Sequence, residues 1–135
     1  MIRVLVIDDQ PQVRSTVSTA LAAKENFQVV SVESGEEGMR VFKTADFDLV
    51  IVDLYMPGMD GTKTIKKLRE QKQNLPVIAI SGVLLKSTTR TALDFLPLAP
   101  AFADVVCLQK PFRPKELFRA IEKALGRSAE LAAAS

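Results

Sequence analysis

The feature that most constrains the fold is a run of four apolar residues, from Leu49 to Val52, that leads directly into a carboxylate and a turn. An unbroken apolar run of this length is typical of a strand covered on both faces, as in a parallel sheet. Asp53 follows the run, and Pro57 and Gly58 end the extended segment. A charge among apolar walls is costly unless a cation pairs with it. We therefore expect a metal ion, a cationic side chain, or both, beside Asp53.

The rest of the chain alternates strand patterns with helix patterns. Apolar runs predict strands over residues 2–7, 27–32, 47–53, 76–81 and 105–108. Helical spacing and capping residues predict helices over 11–24, 35–43, 61–72, 89–96 and 114–126, with Gly126 as the last stop. Alternating elements of this kind predict an α/β fold, a parallel sheet with helices on both faces. We expect one domain over 1–126 and a short Ala-rich tail over 127–135 that frays.

Composition excludes several classes of protein. The 135 residues include no histidine and one cysteine, Cys107, which rules out Ser-His-Asp and Cys-His catalysis, His-ligated metals and an internal disulfide. A net charge of +2 is too small to predict direct nucleic-acid binding. Asp8 and Asp9 break the N-terminal apolar run, so no signal peptide is expected, and no apolar run is long enough for a membrane span. We expect a cytoplasmic protein in which Cys107 is a small buried hydrophobe.

Polar residues follow the predicted strands at the points where they end. Asp8 and Asp9 follow the first strand, Asp53 ends the third, Ser81 ends the fourth and Lys110 follows the fifth. In open parallel sheets, ligands bind beyond the carboxyl ends of the strands. The fold would therefore gather these five residues at one edge of the sheet.

The chemistry of this set points to phosphoryl transfer. Three neighbouring carboxylates repel one another and need a cation, and oxygen ligands without His or Cys favour Mg²⁺. Lys110 adds a compact positive charge and Ser81 a hydroxyl. A metal, an ammonium and a hydroxyl around one carboxylate suit a phosphoryl group in transit. Asp53 could then be the nucleophile and form an aspartyl phosphate.

Four motifs in this order resemble the receiver domain of bacterial two-component response regulators of the chemotaxis-regulator type. They are VIDD at 6–9, VDLYMPGMDG at 52–61, ISG at 80–82 and KPF at 110–112, and the resemblance extends from about residue 2 to 125. It implies a doubly wound, flavodoxin-like sheet with strand order 2-1-3-4-5. It also implies a phosphorylation-activated switch in a phosphorelay, with a histidine kinase or a histidine phosphotransfer protein as donor and an unknown protein downstream. A phosphorylation-dependent dimer is left open.

The resemblance also implies roles for individual residues. Asp53 is the expected phosphoacceptor, Ser81 the switch hydroxyl and Lys110 the counter-ion of the phosphoryl group. The peptide bond between Lys110 and Pro111 is expected to be cis.

The metal ligands are likewise implied by the resemblance. Asp9 would bind Mg²⁺ directly, Asp8 directly or through water, and Asp53 and the backbone carbonyl of Tyr55 would complete the protein ligands.

Each of these residues also has an ordinary structural interpretation. Asp8 and Asp9 could cap the first helix, as Asp60 is expected to cap the third. Ser81 could be a turn residue and Lys110 a solvated charge. The combination of motifs favours the functional interpretation for Asp8, Asp9, Ser81 and Lys110, but not for Asp60.

Two departures from the family pattern concern signal output. The strand-five position that is usually aromatic is Cys107, and the stretch between Ser81 and Lys110 is longer than usual. Residues 83–102 are rich in Leu and Phe, and we hypothesise that this segment, rather than a rotating ring, carries the signal.

The alternative function is a Mg²⁺-dependent phosphohydrolase of small molecules with an aspartate nucleophile. Dehalogenase-type phosphatases carry a second aspartate two residues after the nucleophile, where this chain has Tyr55. A receiver cut from a hybrid kinase or from a larger regulator is a third interpretation. The start at Met1 and the short tail favour a stand-alone receiver.

Overall fold

Five parallel strands form one sheet in the order β2-β1-β3-β4-β5, as the resemblance implied. The computed structural model describes residues 1–82 and 100–134; for residues 127–134 it describes the backbone alone. The strands are β1 (Ile2–Ile7), β2 (Phe27–Val32), β3 (Leu49–Asp53), β4 (Val77–Ser81) and β5 (Val106–Gln109). The described helices are α1 (Pro11–Ala22), α2 (Gly35–Phe42), α3 (Gly61–Gln71) and α4 (Pro114–Ala134), with a 3₁₀ turn at Pro100–Phe102. The helix predicted over 89–96 lies outside the described residues.

The core has two layers, one on each face of the sheet. Leu5 and Val50 pack with Ile65 and Leu68 of α3 on one face. On the other face, strand residues pack against α1 and α4. The strand residues of this layer include Val4, Val6, Leu49, Ile51 and Ile78, and the helices contribute Val17, Leu21 and Leu117. Both faces of the central strands are therefore covered, which explains why β3 is apolar without alternation. In the described stretches, no helix combines the length and apolar character needed to cross a bilayer.

Helices α2 and α3 begin at capping side chains. The Ser34 hydroxyl accepts a hydrogen bond from the Glu37 N–H at 3.1 Å. The Asp60 carboxylate accepts one from the Lys63 N–H at 2.8 Å and another from the Thr62 hydroxyl at 2.7 Å. These contacts pair N–H groups that have no partner inside the helix. They confirm the structural role that the sequence predicted for Asp60.

Asp60→Ala is expected to lower the free energy of unfolding by about 1 kcal/mol, because the first turn of α3 loses its cap. Asp60→Asn keeps an accepting oxygen and should cost less. The hydrogen bond from the Lys63 N–H, helped by the Thr62 hydroxyl, lowers the pKa of Asp60 below its ordinary value of 3.8. The charge of Asp60 therefore stabilises the folded protein fully above about pH 3.8, and this stabilisation is lost as the pH falls through the lowered pKa. Urea denaturation of the wild type and of both variants at neutral and acidic pH measures these differences in stability. Equal urea midpoints for the wild type and Asp60→Ala at neutral pH would exclude the cap.

Helix α4 begins at Pro114 as predicted but does not stop at Gly126. It continues to Ala134, so the prediction that Gly126 ends the last helix was wrong. A glycine inside a helix costs about 1 kcal/mol relative to alanine, which weakens a helix without ending it. The following residues, 127–134, include four alanines, a leucine and a glutamate, which are strong helix formers.

Cys107 is exposed, which contradicts its predicted burial. Val106 and Leu108 are buried in the layer that contains α1 and α4, so strand alternation directs Cys107 and Gln109 to the opposite face. β5 is an edge strand of the sheet, and the Cys107 side chain is exposed on its second face.

Arg69 of α3 is half-buried and does not extend freely into solvent. Its guanidinium donates to the carbonyls of Leu75 at 2.8 Å and Ala101 at 3.1 Å, and also to that of Ala103. Burial lowers the pKa of Arg69 from its ordinary value, while the nearby charge of Asp104 opposes this. Arg69 thus ties the end of α3 to the segment that leads into β5.

Candidate functional site

The carboxyl ends of β1, β3 and β5 bring two carboxylates and one ammonium into contact. Nζ of Lys110 lies 3.1 Å from Oδ2 of Asp8 and 3.1 Å from Oδ2 of Asp53. The backbone N–H of Lys110 donates to the carbonyl of Ser81 at 2.8 Å, which aligns the residue after β5 with the end of β4. The Lys110–Pro111 peptide bond is cis, as expected. Lys110 is therefore a cross-strand partner of two acids, not a solvated charge.

Asp53 is almost completely enclosed, with 3% of its surface exposed. Its Oδ1 accepts a hydrogen bond from the Tyr55 N–H at 3.1 Å, and its Oδ2 accepts one from Lys110 at 3.1 Å. Both contacts fix the orientation of the carboxylate, whose oxygens are nucleophilic atoms. The neighbouring Leu54 N–H continues the sheet by donating to the Ile80 carbonyl at 3.0 Å.

Asp8 is fully buried, and its two oxygens differ in their partners. Oδ1 accepts a hydrogen bond from the Gln10 N–H at 2.8 Å. Oδ2 accepts no hydrogen bond within the described chain, since its contact with Lys110 is an ion pair without hydrogen-bond geometry. Burial raises the pKa of Asp8, and the charge of Asp53 adds to this, whereas the Gln10 N–H and Lys110 oppose it. The N-cap of α1 is Gln10, so neither Asp8 nor Asp9 takes that position.

Three carboxylates converge at the mouth of the site. Asp8, Asp9 and Asp53 each offer an oxygen, and these three oxygens lie within 4.8 Å of one another. Asp9 is less buried than the other two and lines an open cleft of about 610 Å³ that also reaches Tyr55. An all-oxygen donor set with an unsatisfied buried oxygen on Asp8 fits a small hard cation such as Mg²⁺.

Ser81 lies at the same edge of the sheet and is 1% exposed. Asp53 pairs in register with Ile80, so Ser81 is one residue beyond the pairing partner of Asp53. It is the last residue of β4, not a turn residue. All the residues predicted from the strand ends are therefore brought to one edge of the sheet.

Two contacts near the site were not predicted from the sequence. The side chain of Gln10 binds Lys110, with 2.9 Å between Oε1 and Nζ. Glu36 of α2 accepts a hydrogen bond from the Met59 N–H at 2.9 Å, which holds the loop after β3 where Gly58 has a φ of 79°. Hydrogen bonds from the N–H groups of Glu36 itself and of Met59 lower the pKa of Glu36. Neither contact follows a repeating pattern that would have identified it.

A sequence model of the response regulator receiver domain matches residues 4–122 of this chain. The chain belongs to this family. Among curated proteins, this receiver is 34% identical over 122 residues to the probable C4-dicarboxylate response regulator DctR of Bacillus subtilis (strain 168), covering 90% of this chain and 51% of that protein. It is 32% identical over 123 residues to the nitrate/nitrite response regulator protein NarL of Escherichia coli (strain K12), covering 90% of this chain and 53% of that protein.

Solved receiver structures have the same fold. Chemotaxis protein CheY4 of Vibrio cholerae superposes with a TM-score of 0.78 at 28% identity, covering 93% of this chain and 99% of that one. A receiver domain protein from Clostridium thermocellum gives a TM-score of 0.79 at 26% identity, covering 97% and 99%. The receiver spans about half the length of the curated relatives described above. It is a domain of two-component signalling rather than a conventional enzyme, and the phosphohydrolase alternative is not favoured.

Proposed function

We propose that this receiver accepts a phosphoryl group on Asp53 and passes the signal on by a change of conformation. The observation that carries the proposal is the placement of Lys110, whose Nζ lies 3.1 Å from both Asp8 and Asp53. A buried carboxylate held by an ammonium and a backbone N–H is a preorganised nucleophile. The donor would be a histidine kinase or a histidine phosphotransfer protein, as is usual for the family.

The transfer is a substitution at phosphorus. A carboxylate oxygen of Asp53 forms the new bond to phosphorus, and the bond from phosphorus to the imidazole nitrogen of the donor breaks. The electron pair of that bond leaves with the imidazole. Lys110 stabilises the charge on the phosphoryl oxygens, because its ammonium is already fixed beside Asp53.

The metal in this proposal is Mg²⁺, which Asp8, Asp9, Asp53 and the backbone carbonyl of Tyr55 would hold. When bound, it would offset the negative charge of three carboxylates and the incoming phosphoryl group. Asp8 Oδ2 is a buried oxygen that accepts no hydrogen bond within the described residues, so it is suited to bind a cation.

Signal output would begin at Ser81, whose hydroxyl we propose moves toward the phosphoryl group. The hypothesis that residues 83–102 then rearrange concerns a stretch of which 83–99 lie outside the described residues. The downstream partner, the phosphorylation-dependent dimer and the cytoplasmic location stay predictions. We propose the domain boundary at 126 on the basis of the family match to 122.

The proposed function is tested by adding Mg²⁺ and beryllium fluoride, a phosphoryl mimic, and recording backbone NMR spectra. We expect shifts in the signals of Asp53, Ser81 and Lys110 only when both reagents are present. Absence of any shift at saturating concentrations would contradict the proposal.

Lys110→Ala is expected to slow phosphorylation by acetyl phosphate by roughly 100-fold, because a charge-stabilising donor is lost next to the reacting oxygens. The fold should survive, with Mg²⁺ able to offset the two remaining acids. Lys115→Ala is the matched control, since this lysine is exposed in the first turn of α4. Rates are followed by intact mass. If Lys110→Ala reacts as fast as Lys115→Ala, the ammonium has no role in transfer.

A further inference from the structure

Lys110 has three contacts, and one of them belongs to neither acid. An ammonium carries three N–H donors. Nζ of Lys110 lies 3.1 Å from Asp8, 3.1 Å from Asp53 and 2.9 Å from Oε1 of Gln10. The ammonium donates hydrogen bonds to Asp53 and to Gln10 and forms an ion pair with Asp8, so Gln10 supplies an uncharged acceptor from the α1 side of the cleft.

Both the backbone and the side chain of Gln10 form hydrogen bonds in the site. It is the N-cap residue of α1, and its backbone N–H donates to Oδ1 of Asp8 at 2.8 Å. Its side-chain oxygen therefore starts from a defined backbone position, although the residue itself is exposed. Gln10 therefore binds both Oδ1 of Asp8, through its backbone N–H, and the ammonium of Lys110, through its side chain.

We propose that Gln10 is a positioning residue for phosphoryl transfer, which keeps the Lys110 ammonium between Asp8 and Asp53. The inference rests on the proposed function of Asp53. Without the Gln10 oxygen, the N–H that Lys110 donates to it would turn to water, and the lysine side chain could swing toward the open cleft. Gln10 acts through Lys110 and does not itself touch the reacting atoms, so its effect must disappear when Lys110 is absent.

The matched variants are Gln10→Met, which keeps the side-chain length but removes the acceptor, and Gln10→Glu, which restores an accepting oxygen. Gln12→Met is the control, because Gln12 lines the same cleft. Gln10→Met should slow phosphorylation by acetyl phosphate roughly three- to tenfold, the range expected for one lost hydrogen bond. Gln12→Met should leave the rate unchanged, and Gln10→Glu should recover part of the loss at saturating Mg²⁺.

A double-mutant cycle distinguishes positioning from general damage. In the Lys110→Ala background, Gln10→Met should cause no further slowing, since the contact is already absent. Equal slowing in both backgrounds would overturn the inference, as would a wild-type rate for Gln10→Met.

A second readout needs neither metal nor phosphate. In ¹⁵N spectra of the resting protein, the ammonium signal of Lys110 should be retained in wild type and in Gln12→Met, and should broaden in Gln10→Met through faster exchange with water. An unchanged signal in Gln10→Met would also overturn the inference. If wild type fails to take up a phosphoryl group at all, the proposed function fails, while the ammonium signal still reports on the contact itself.

Discussion

Gly61→Ala is expected to lower the free energy of unfolding by about 3 kcal/mol, the upper part of the range for overpacking a rigid site. A methyl group on Gly61 would press on the carbonyl oxygen of Asp53 and lie 2.5 Å from the Cα of Leu54. Both are backbone atoms, so no side chain can turn away. The Gly61 N–H also donates to the Leu54 carbonyl at 3.1 Å, which fixes the start of α3 against the end of β3. The strain would fall on the residue that carries the proposed chemistry.

Gly126→Ala is the matched control for this prediction. A methyl group there would meet no atom of the described residues within 4 Å. Because Gly126 lies inside α4, the change should raise the free energy of unfolding by about 0.5–1 kcal/mol. Chemical denaturation with circular dichroism measures both variants. A stable Gly61→Ala would contradict the close packing behind Asp53, and a destabilised Gly126→Ala would contradict the continuous helix.

Asp53→Asn is expected to abolish phosphorylation, because the amide has no nucleophilic carboxylate oxygen. The variant should fold, since an amide oxygen can still accept the hydrogen bond from the Tyr55 N–H. Asp60→Asn is the control, as it makes the same chemical change at a nearby helix cap outside the site. Intact mass after treatment with acetyl phosphate and Mg²⁺ distinguishes the variants.

Asp9→Asn separates metal binding from nucleophilic attack. It should fold like wild type and bind Mg²⁺ more weakly, because one of the three converging carboxylates loses its charge. Mg²⁺ titrations followed by NMR measure the affinity. An acyl phosphate on Asp53→Asn, or an unchanged affinity in Asp9→Asn, would show that the roles of the three acids are assigned wrongly.

The sheet and the placement of the acids were predictable because they depend on chain order and burial. A strand buried on both faces has to be apolar throughout, and the sequence of β3 from Leu49 to Val52 meets that requirement. Once the strands are parallel, their carboxyl ends lie at one edge, so Asp8, Asp53 and Lys110 meet despite their separation in the chain.

The remaining features depend on side-chain directions and on neighbours that a single sequence does not specify. Arg69 occupies a helix position that is compatible with solvent, and the backbone carbonyls that approach it, among them those of Ala101 and Ala103, make it a half-buried donor. Cys107 is apolar enough for a core, but it lies exposed on the edge strand β5. Gln10 and Lys110 meet through side-chain conformations across the cleft, which no spacing rule predicts.

We propose that Asp53 is the phosphoacceptor of a Mg²⁺-dependent switch. The most direct test is to treat the wild-type protein with acetyl phosphate, with Mg²⁺ or with a chelator, and to locate the product by peptide mass mapping. The structure predicts one added phosphoryl group, on the peptide that contains Asp53, only when Mg²⁺ is present. A group attached elsewhere, or equal labelling in the chelator, would contradict the claim.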